Sequence, residues 1–215
     1  MNIQAKRRRQ RGFSLIELLL VVLLLSIVVG ALFSQIDRAQ VRYKVEDQQL
    51  DLTQQEREII DQFTRDLHQA GYPSATMYQT AMPANQVAGT ILTGGIISFS
   101  ATDLQMEGDV DGTGTVSVVE YSYLSGAGTC NCLRRSVMPK GTAGPATAFT
   151  EVQGVINTAA QPIFAAYDKG GNPPADLKSI KSVRITLITQ AAGKDNDTHK
   201  NIQVTMTGMA RVVNN

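Results

Sequence analysis

Residues 6–17, Lys-Arg-Arg-Arg-Gln-Arg-Gly-Phe-Ser-Leu-Ile-Glu, join a basic cluster to an apolar run that continues to Phe33. Glu17 is the single charged side chain between Phe13 and Phe33. As a helix rising about 1.5 Å per residue, this run would reach roughly 32 Å, close to the thickness of a bilayer core. An ionised carboxylate inside a bilayer costs about 3 kcal/mol, so Glu17 predicts a helix that meets a cationic partner within the membrane.

Residues 11–17, Arg-Gly-Phe-Ser-Leu-Ile-Glu, resemble the class III signal of type IV pilins and pseudopilins. In that family a prepilin peptidase cuts after the glycine and methylates the new N-terminal residue. The resemblance implies a cut between Gly12 and Phe13, a methylated Phe13 amine, and Glu17 as the fifth residue of the mature chain. Glu17 of one subunit would then pair with the Phe13 amine of a neighbour, because two buried charges cancel only when the subunits dock in register.

Two other interpretations of this segment exist. The first is an ordinary signal anchor that carries a glutamate by chance. The second is a secretory signal peptide, which fits less well because the apolar run is too long and no small-x-small cleavage site closes it.

The charge distribution places the two ends of the chain in different compartments. Residues 1–12 hold five of the 20 basic residues and no acidic one, so their removal leaves 15 basic against 19 acidic residues, a formal charge of −4. An acidic body argues against a general nucleic-acid binder. The basic leader holds the N-terminus in the cytoplasm, so the body lies beyond the inner membrane in a compartment that permits disulfides.

The chain of 215 residues suffices for one globular domain and one long helix. Apolar residues continue to recur at helical spacing after the apolar run, and Gly71-Tyr72-Pro73 is a typical helix stop, which predicts one helix over residues 14–70. The predicted organisation is a leader at 1–12, a transmembrane and filament-core helix at 13–35, an amphipathic continuation at 36–71, and a β-rich body at 72–215.

Short runs rich in β-branched and aromatic residues predict strands in the body at 96–100, 116–124, 133–138, 149–155 and 163–167. Apolar and polar residues alternate along 183–189 and 202–206, which predicts that these two segments form an antiparallel hairpin. The predicted fold class is α+β, a type IV pilin-like long N-terminal helix packed against a mainly antiparallel sheet. Residues 61–73 and 163–213 are also similar to PilW-like minor pilins and J-type pseudopilins, whereas residues 74–152 match only loosely.

Residues 109–120, Asp-Val-Asp-Gly-Thr-Gly-Thr-Val-Ser-Val-Val-Glu, match the spacing of an EF-hand loop. The ligands of a Ca²⁺ ion would be Asp109, Asp111, Thr113 and Glu120. Thr113 departs from the usual Asp or Asn, and no flanking helices are readable. The favoured interpretation is a plain turn between two strands, because the Asp-Gly and Thr-Gly pairs supply the positive φ that turns need. Ca²⁺ held by the two aspartates, carbonyls and water is the intermediate alternative, and no cofactor is otherwise expected.

The chain contains two cysteines, Cys130 and Cys132, separated by one residue. This spacing is not that of a redox or zinc motif. An internal disulfide is predicted, with free thiols or pairing to another subunit as the alternatives. The two histidines, His68 and His199, are expected at the surface.

The remaining charged residues are expected at the protein surface rather than in a catalytic site. Glutamates and aspartates of the helix are expected to form a solvated face or a contact with a neighbouring subunit: Glu46, Asp47, Glu56 and Glu58. No nucleophile elbow, phosphate loop or zinc-spaced histidine pair occurs, so an enzyme is not expected.

The resemblance implies a minor type IV pilin that primes pilus assembly or sits near the pilus tip. The alternatives are a J-type pseudopilin of a type II secretion system and a minor pilin for adhesion or DNA uptake. The implied partners are other pilin and minor pilin subunits, the prepilin peptidase and the inner-membrane assembly platform. Basic residues clustered on the body would favour DNA uptake, and the sequence offers candidates at 134–135 and 178–184.

Overall fold

The computed structural model describes residues 14–73, 93–126, 128–141, 147–194 and 200–214. The chain divides into two compact units, of which the first ends at Lys44 and the second begins at Val45. The leader and the cleavage position lie outside the described residues.

A single helix, α1, spans Leu15–Gln69. The backbone N–H of Leu18 donates to the Ser14 carbonyl at 3.1 Å and forms its first turn. At the other end Gly71 adopts a positive φ of 82°, and a Cβ there would lie 2.5 Å from the carbonyl oxygen of Asn214. Only glycine fits this exit, because both the left-handed backbone and the close approach exclude a side chain. The helix predicted over residues 14–70 is therefore confirmed.

The described residues of the body form two antiparallel sheets. The first sheet is a meander of five strands in chain order: β1 Ile96–Phe99, β2 Asp103–Gly108, β3 Ser117–Leu124, β4 Cys132–Pro139 and β5 Thr147–Val152. The second sheet has three strands: β6 Phe164–Tyr167, β7 Ser182–Lys194 and β8 Asn201–Arg211. A single 3-10 turn at Leu177–Ser179 precedes β7. The α+β class and the C-terminal hairpin are as predicted, whereas β2 was not predicted.

The core of the body forms where the C-terminal part of α1 meets both sheets. Phe63 of α1 is fully buried and lies 5.5 Å, between ring centroids, from Tyr121 of β3. The same ring lies 5.9 Å from Phe164 of β6, so one helix residue contacts an aromatic residue of each sheet. Burial of such rings contributes more than any other side-chain type to a core of this size. The apolar stripe predicted for this part of the helix is therefore the element that joins the two sheets.

The approach of α1 to the second sheet depends on a glycine in β8. A Cβ at Gly208 would collide with the Cγ2 atom of Ile60, which is a buried residue of α1. The absence of a side chain there lets the helix lie directly against the strand.

Candidate processing and assembly site

The carboxylate predicted to guide assembly lies at the beginning of the apolar helix. Glu17 is in the first turn of α1, and its backbone N–H donates to the Ser14 carbonyl at 3.0 Å. A carboxylate in this position also interacts favourably with the positive end of the helix dipole. Gly12 and Phe13, the predicted cleavage and methylation residues, lie outside the described residues.

The N-terminal part of α1 presents apolar side chains on every face. Large apolar residues between Leu15 and Ile36 are exposed, with Leu15 at 77% and Leu25 at 59% of full accessibility. The mean hydropathy of the most apolar window is 3.0, and none of that window is buried within the chain. By length and composition this helix can cross a membrane.

A protein-family model described as the prokaryotic N-terminal methylation motif matches residues 7–33. The match supports a type IV pilin-like protein. The pilin-like signal and the apolar helix anchor the chain in the inner membrane by a single pass before it joins a filament. The motif also implies association with other pilins and with the prepilin peptidase, and it belongs to structural rather than enzymatic proteins. No curated protein and no solved structure matches the chain.

A buried polar cluster joins α1 to the first sheet of the body. Asp66 is 1% exposed and accepts hydrogen bonds from Arg135 Nε at 2.6 Å and Arg135 Nη2 at 3.0 Å. Tyr121 Oη donates to the same carboxylate at 2.7 Å. We call Asp66, Tyr121 and Arg135 the helix-sheet cluster. Its two-pronged guanidinium contact fixes both the position and the rotation of α1 on the sheet.

The electrostatics of the helix-sheet cluster keep both donors in their donating forms. Burial raises the pKa of Tyr121, and the charge and hydrogen bond of Asp66 raise it further, so the phenol stays protonated. Burial alone would lower the pKa of Arg135, but the hydrogen bond and charge of Asp66 outweigh that effect and raise it. Arg135 had been a candidate for a basic surface, and its position in this buried cluster corrects that prediction.

A second buried carboxylate corrects the prediction of a solvated face. Glu56 is fully buried, whereas Glu46, Asp47 and Glu58 are exposed. Thr189 Oγ1 of β7 donates to Glu56 Oε1 at 2.8 Å. Glu56 Oε2 has no hydrogen-bond partner within the described part of the chain, and burial raises the pKa of this carboxyl.

The loop between β2 and β3 adopts the turn that glycine and aspartate favour. Asp109 Oδ2 accepts from the Gly114 N–H at 2.9 Å, and Gly114 has a φ of 82°. The hydroxyl and the N–H of Thr113 donate to Asp111 Oδ1 and lower the pKa of Asp111. The plain-turn interpretation therefore accounts for most of the polar groups here.

The structure does not bring Glu120 into this loop. Glu120 lies inside β3, paired with Gln105 of β2 and Ser136 of β4, because the strand ladder fixes its position. Across residues 14–73, 93–126, 128–141, 147–194 and 200–214, no group of three or more His, Cys, Asp and Glu residues could hold a metal ion. One oxygen, Asp109 Oδ1, is buried without a hydrogen-bond partner among the described residues, so Ca²⁺ at the two aspartates stays a prediction.

The two cysteines are joined to each other at the start of β4. Cys130 and Cys132 form a disulfide with a Cα–Cα distance of 5.1 Å, and neither cysteine is free. Asn131 between them has a positive φ of 47°, and its carbonyl accepts from the Val155 N–H at 2.8 Å. His68 is exposed near the end of α1, and His199 lies outside the described residues.

The helix-sheet cluster and the burial of Glu56 are the features that sequence reasoning missed. The buried apolar stripe of α1 includes Leu52, Ile59, Phe63 and Leu67. Glu56 and Asp66 fall within the same stripe at steps of three and four residues. The sequence signal was an acidic residue at a position that the apolar periodicity places on the buried face of the helix. Such a carboxylate needs a hydrogen-bond donor from the element that packs against that face.

Proposed function

We propose that this chain is a minor type IV pilin of the PilW-like kind, which primes pilus assembly and sits near the pilus tip. The observation that carries the proposal is the methylation motif at residues 7–33, within which α1 begins and places Glu17 in its first turn. Cleavage after Gly12 would create a cationic Phe13 amine at the start of this helix. The carboxylate of an incoming subunit would then pair with the amine of its neighbour.

The end of α1 carries the resemblance on which the minor-pilin form of the proposal rests. Residues 61–73, which resemble PilW-like and J-type proteins, form the end of α1 and include Asp66 of the helix-sheet cluster. A J-type pseudopilin of a type II secretion system is the second candidate, because the same residues carry that resemblance.

The pairing role of Glu17 is tested by a Glu17→Ala substitution in cells that express the assembly machinery. We expect normal cleavage and methylation but at least a tenfold loss of incorporation into filaments, since the neighbour's amine would remain buried and unpaired. The matched control is Glu46→Ala, which removes an exposed carboxylate from the same helix. If the Glu17→Ala subunit is cleaved and enters filaments as well as the control, the pairing role is wrong.

The choice between pilus and secretion filament is tested in a strain that lacks the gene. Surface pili are counted and secreted exoproteins are assayed in the same cultures. Lost pili with normal secretion are the result expected for a priming minor pilin. Normal pili with exoproteins trapped in the periplasm would contradict the proposal and assign the chain to type II secretion.

A further inference from the structure

A cleft of about 550 Å³ lies on the second sheet of the body, at the end where β6 stops and β7 starts. Four cationic side chains line this cleft, together with one aromatic ring and one carboxylate: Lys169, Lys181, Arg184, Arg211, Tyr167 and Asp168. We call it the basic cleft. It lies outside every site described above.

The strand register explains why these residues meet. Ser182 pairs with Tyr167 on one side and with Arg211 on the other, and Arg184 pairs with Met209. Alternation along β7 turns Val183 and Ile185 into the core, so the residues between them face outwards. Hydrogen bonds from Lys181 N–H to the Tyr167 carbonyl, and from Val212 N–H to the Lys181 carbonyl, hold the wall of the cleft.

The basic cleft has a positive charge that the mature chain as a whole does not have. Its one acid, Asp168, is occupied with the turn after β6, where Oδ1 accepts from Gly170 N–H at 2.7 Å and Asn172 N–H at 2.8 Å. Arg184 Cζ lies 5.5 Å from the centre of the Tyr167 ring, which orients the guanidinium at the cleft. Cations gathered in a concave surface reinforce one another's field and attract anions.

We propose that the basic cleft binds the phosphate groups of a nucleic acid. Guanidinium groups recognise phosphate oxygens in pairs, and lysines add charge without demanding one geometry. A tyrosine beside cations is the combination that nucleic-acid sites use to hold backbone and base together. A lipid surface fits less well, because Met209 is the single exposed apolar residue among those lining the cleft, whereas membrane binding needs an apolar face.

The test uses the mature chain, residues 13–215 without the basic leader, in neutral detergent micelles, and short fluorescent DNA oligonucleotides, single-stranded and duplex. Fluorescence anisotropy gives the Kd between about 50 and 200 mM salt. We expect binding that weakens steeply with salt. The Arg184→Gln/Arg211→Gln variant should weaken it at least tenfold at the lowest salt and lower the salt slope by about 1.5 to 2. Lys169→Gln, in the exposed turn, should weaken binding more modestly.

The matched control is Arg42→Gln/Arg57→Gln, which removes the same charge from two exposed arginines of α1. Equal weakening in the control and the cleft variant overturns the proposal, because the attraction would then be general. Failure of the wild-type chain to bind DNA also overturns it. Binding to phosphatidylglycerol vesicles or inorganic phosphate but not to DNA, lost in the cleft variant, would overturn it and assign the cleft to lipid headgroups or free phosphate. The inference holds for a minor pilin and for a pseudopilin alike.

Discussion

At the scale of single residues, the buried carboxylates of Asp66 and Glu56 both connect α1 to the sheets, but they differ in how many hydrogen bonds they accept. Asp66 is surrounded by donors, from Arg135, Tyr121 and Gln62. Glu56 has one donor for two oxygens. Because an ionised group without enough donors is costly in a core, Glu56 is the weaker of the two contacts.

The raised pKa of Glu56 makes the stability of the body depend on pH. A carboxyl whose pKa is raised on folding contributes stability that is fully present below its unfolded pKa, near 4.5, and is lost as pH rises through the folded pKa. We therefore expect Glu56→Gln to stabilise the body at pH 7 by roughly 1 kcal/mol, the usual size of a point-substitution effect, and to have little effect near pH 4. Thermal unfolding followed by near-ultraviolet circular dichroism at both pH values measures this difference. A variant that is less stable than the wild type at pH 7 would contradict the expectation.

The helix-sheet cluster predicts a much larger effect. Arg135→Met leaves Asp66 buried without its cation, which should cost about 3–5 kcal/mol in the free energy of unfolding. The double substitution Asp66→Asn/Arg135→Met should recover part of that loss, and the double-mutant cycle measures the coupling. Arg57→Met, on the exposed side of α1, is the control and should stay within about 0.5 kcal/mol of the wild type. An Arg135→Met variant as stable as this control would show that the cluster contributes little.

At the scale of elements, a helix or strand could be predicted when residues close together in the sequence determine it, and was missed when pairing with a distant strand determines it. The end of α1 was predictable because Gly71 and Pro73 act within one turn. β3 and the β7–β8 hairpin were predictable because β-branched residues alternate along them. β2 was missed because it holds two apolar residues, Leu104 and Met106, among polar ones, none of them β-branched or aromatic. Strand formation there depends on pairing with β3 rather than on intrinsic preference.

The cleavage motif, the helix-sheet cluster and the basic cleft differ in how far the sequence could predict them. The cleavage motif and Glu17 could be recognised because their spacing along the chain is itself the signal. The helix-sheet cluster could not be assembled from sequence, since Asp66 and Arg135 are 69 residues apart and meet only after the sheet has formed. The basic cleft likewise depends on the register of three strands.

The loop between β2 and β3 carries the prediction for calcium. If Ca²⁺ fills the unsatisfied position at Asp109 Oδ1, millimolar Ca²⁺ should raise the melting temperature of the body by a few degrees relative to EDTA. Asp109→Asn should abolish that difference, and Glu120→Gln should leave it unchanged because Glu120 lies inside β3. Identical melting curves in Ca²⁺ and EDTA would show that the loop is a turn alone.

At the scale of the whole molecule, the chain joins a segment suited to lipid to a body that folds around part of the same helix. The apolar part of α1 has no buried face of its own, so its partners must be lipid or other helices. The body, in contrast, has a core formed by the C-terminal part of α1 and both sheets. This division fits a subunit that is stored in a membrane and then drawn into a filament.

The two parts of α1 should therefore tolerate different substitutions. While the chain is held in lipid, the apolar character of residues 18–29 is what the surroundings require, since none of these side chains is buried within the chain itself. From Leu52 to Leu67 the buried positions have fixed neighbours in the body and the positions between them are exposed or half-buried, so acceptable substitutions should repeat with the helical period. A single unbroken helix is thus held to apolar character at one end and to the shape of the body at the other.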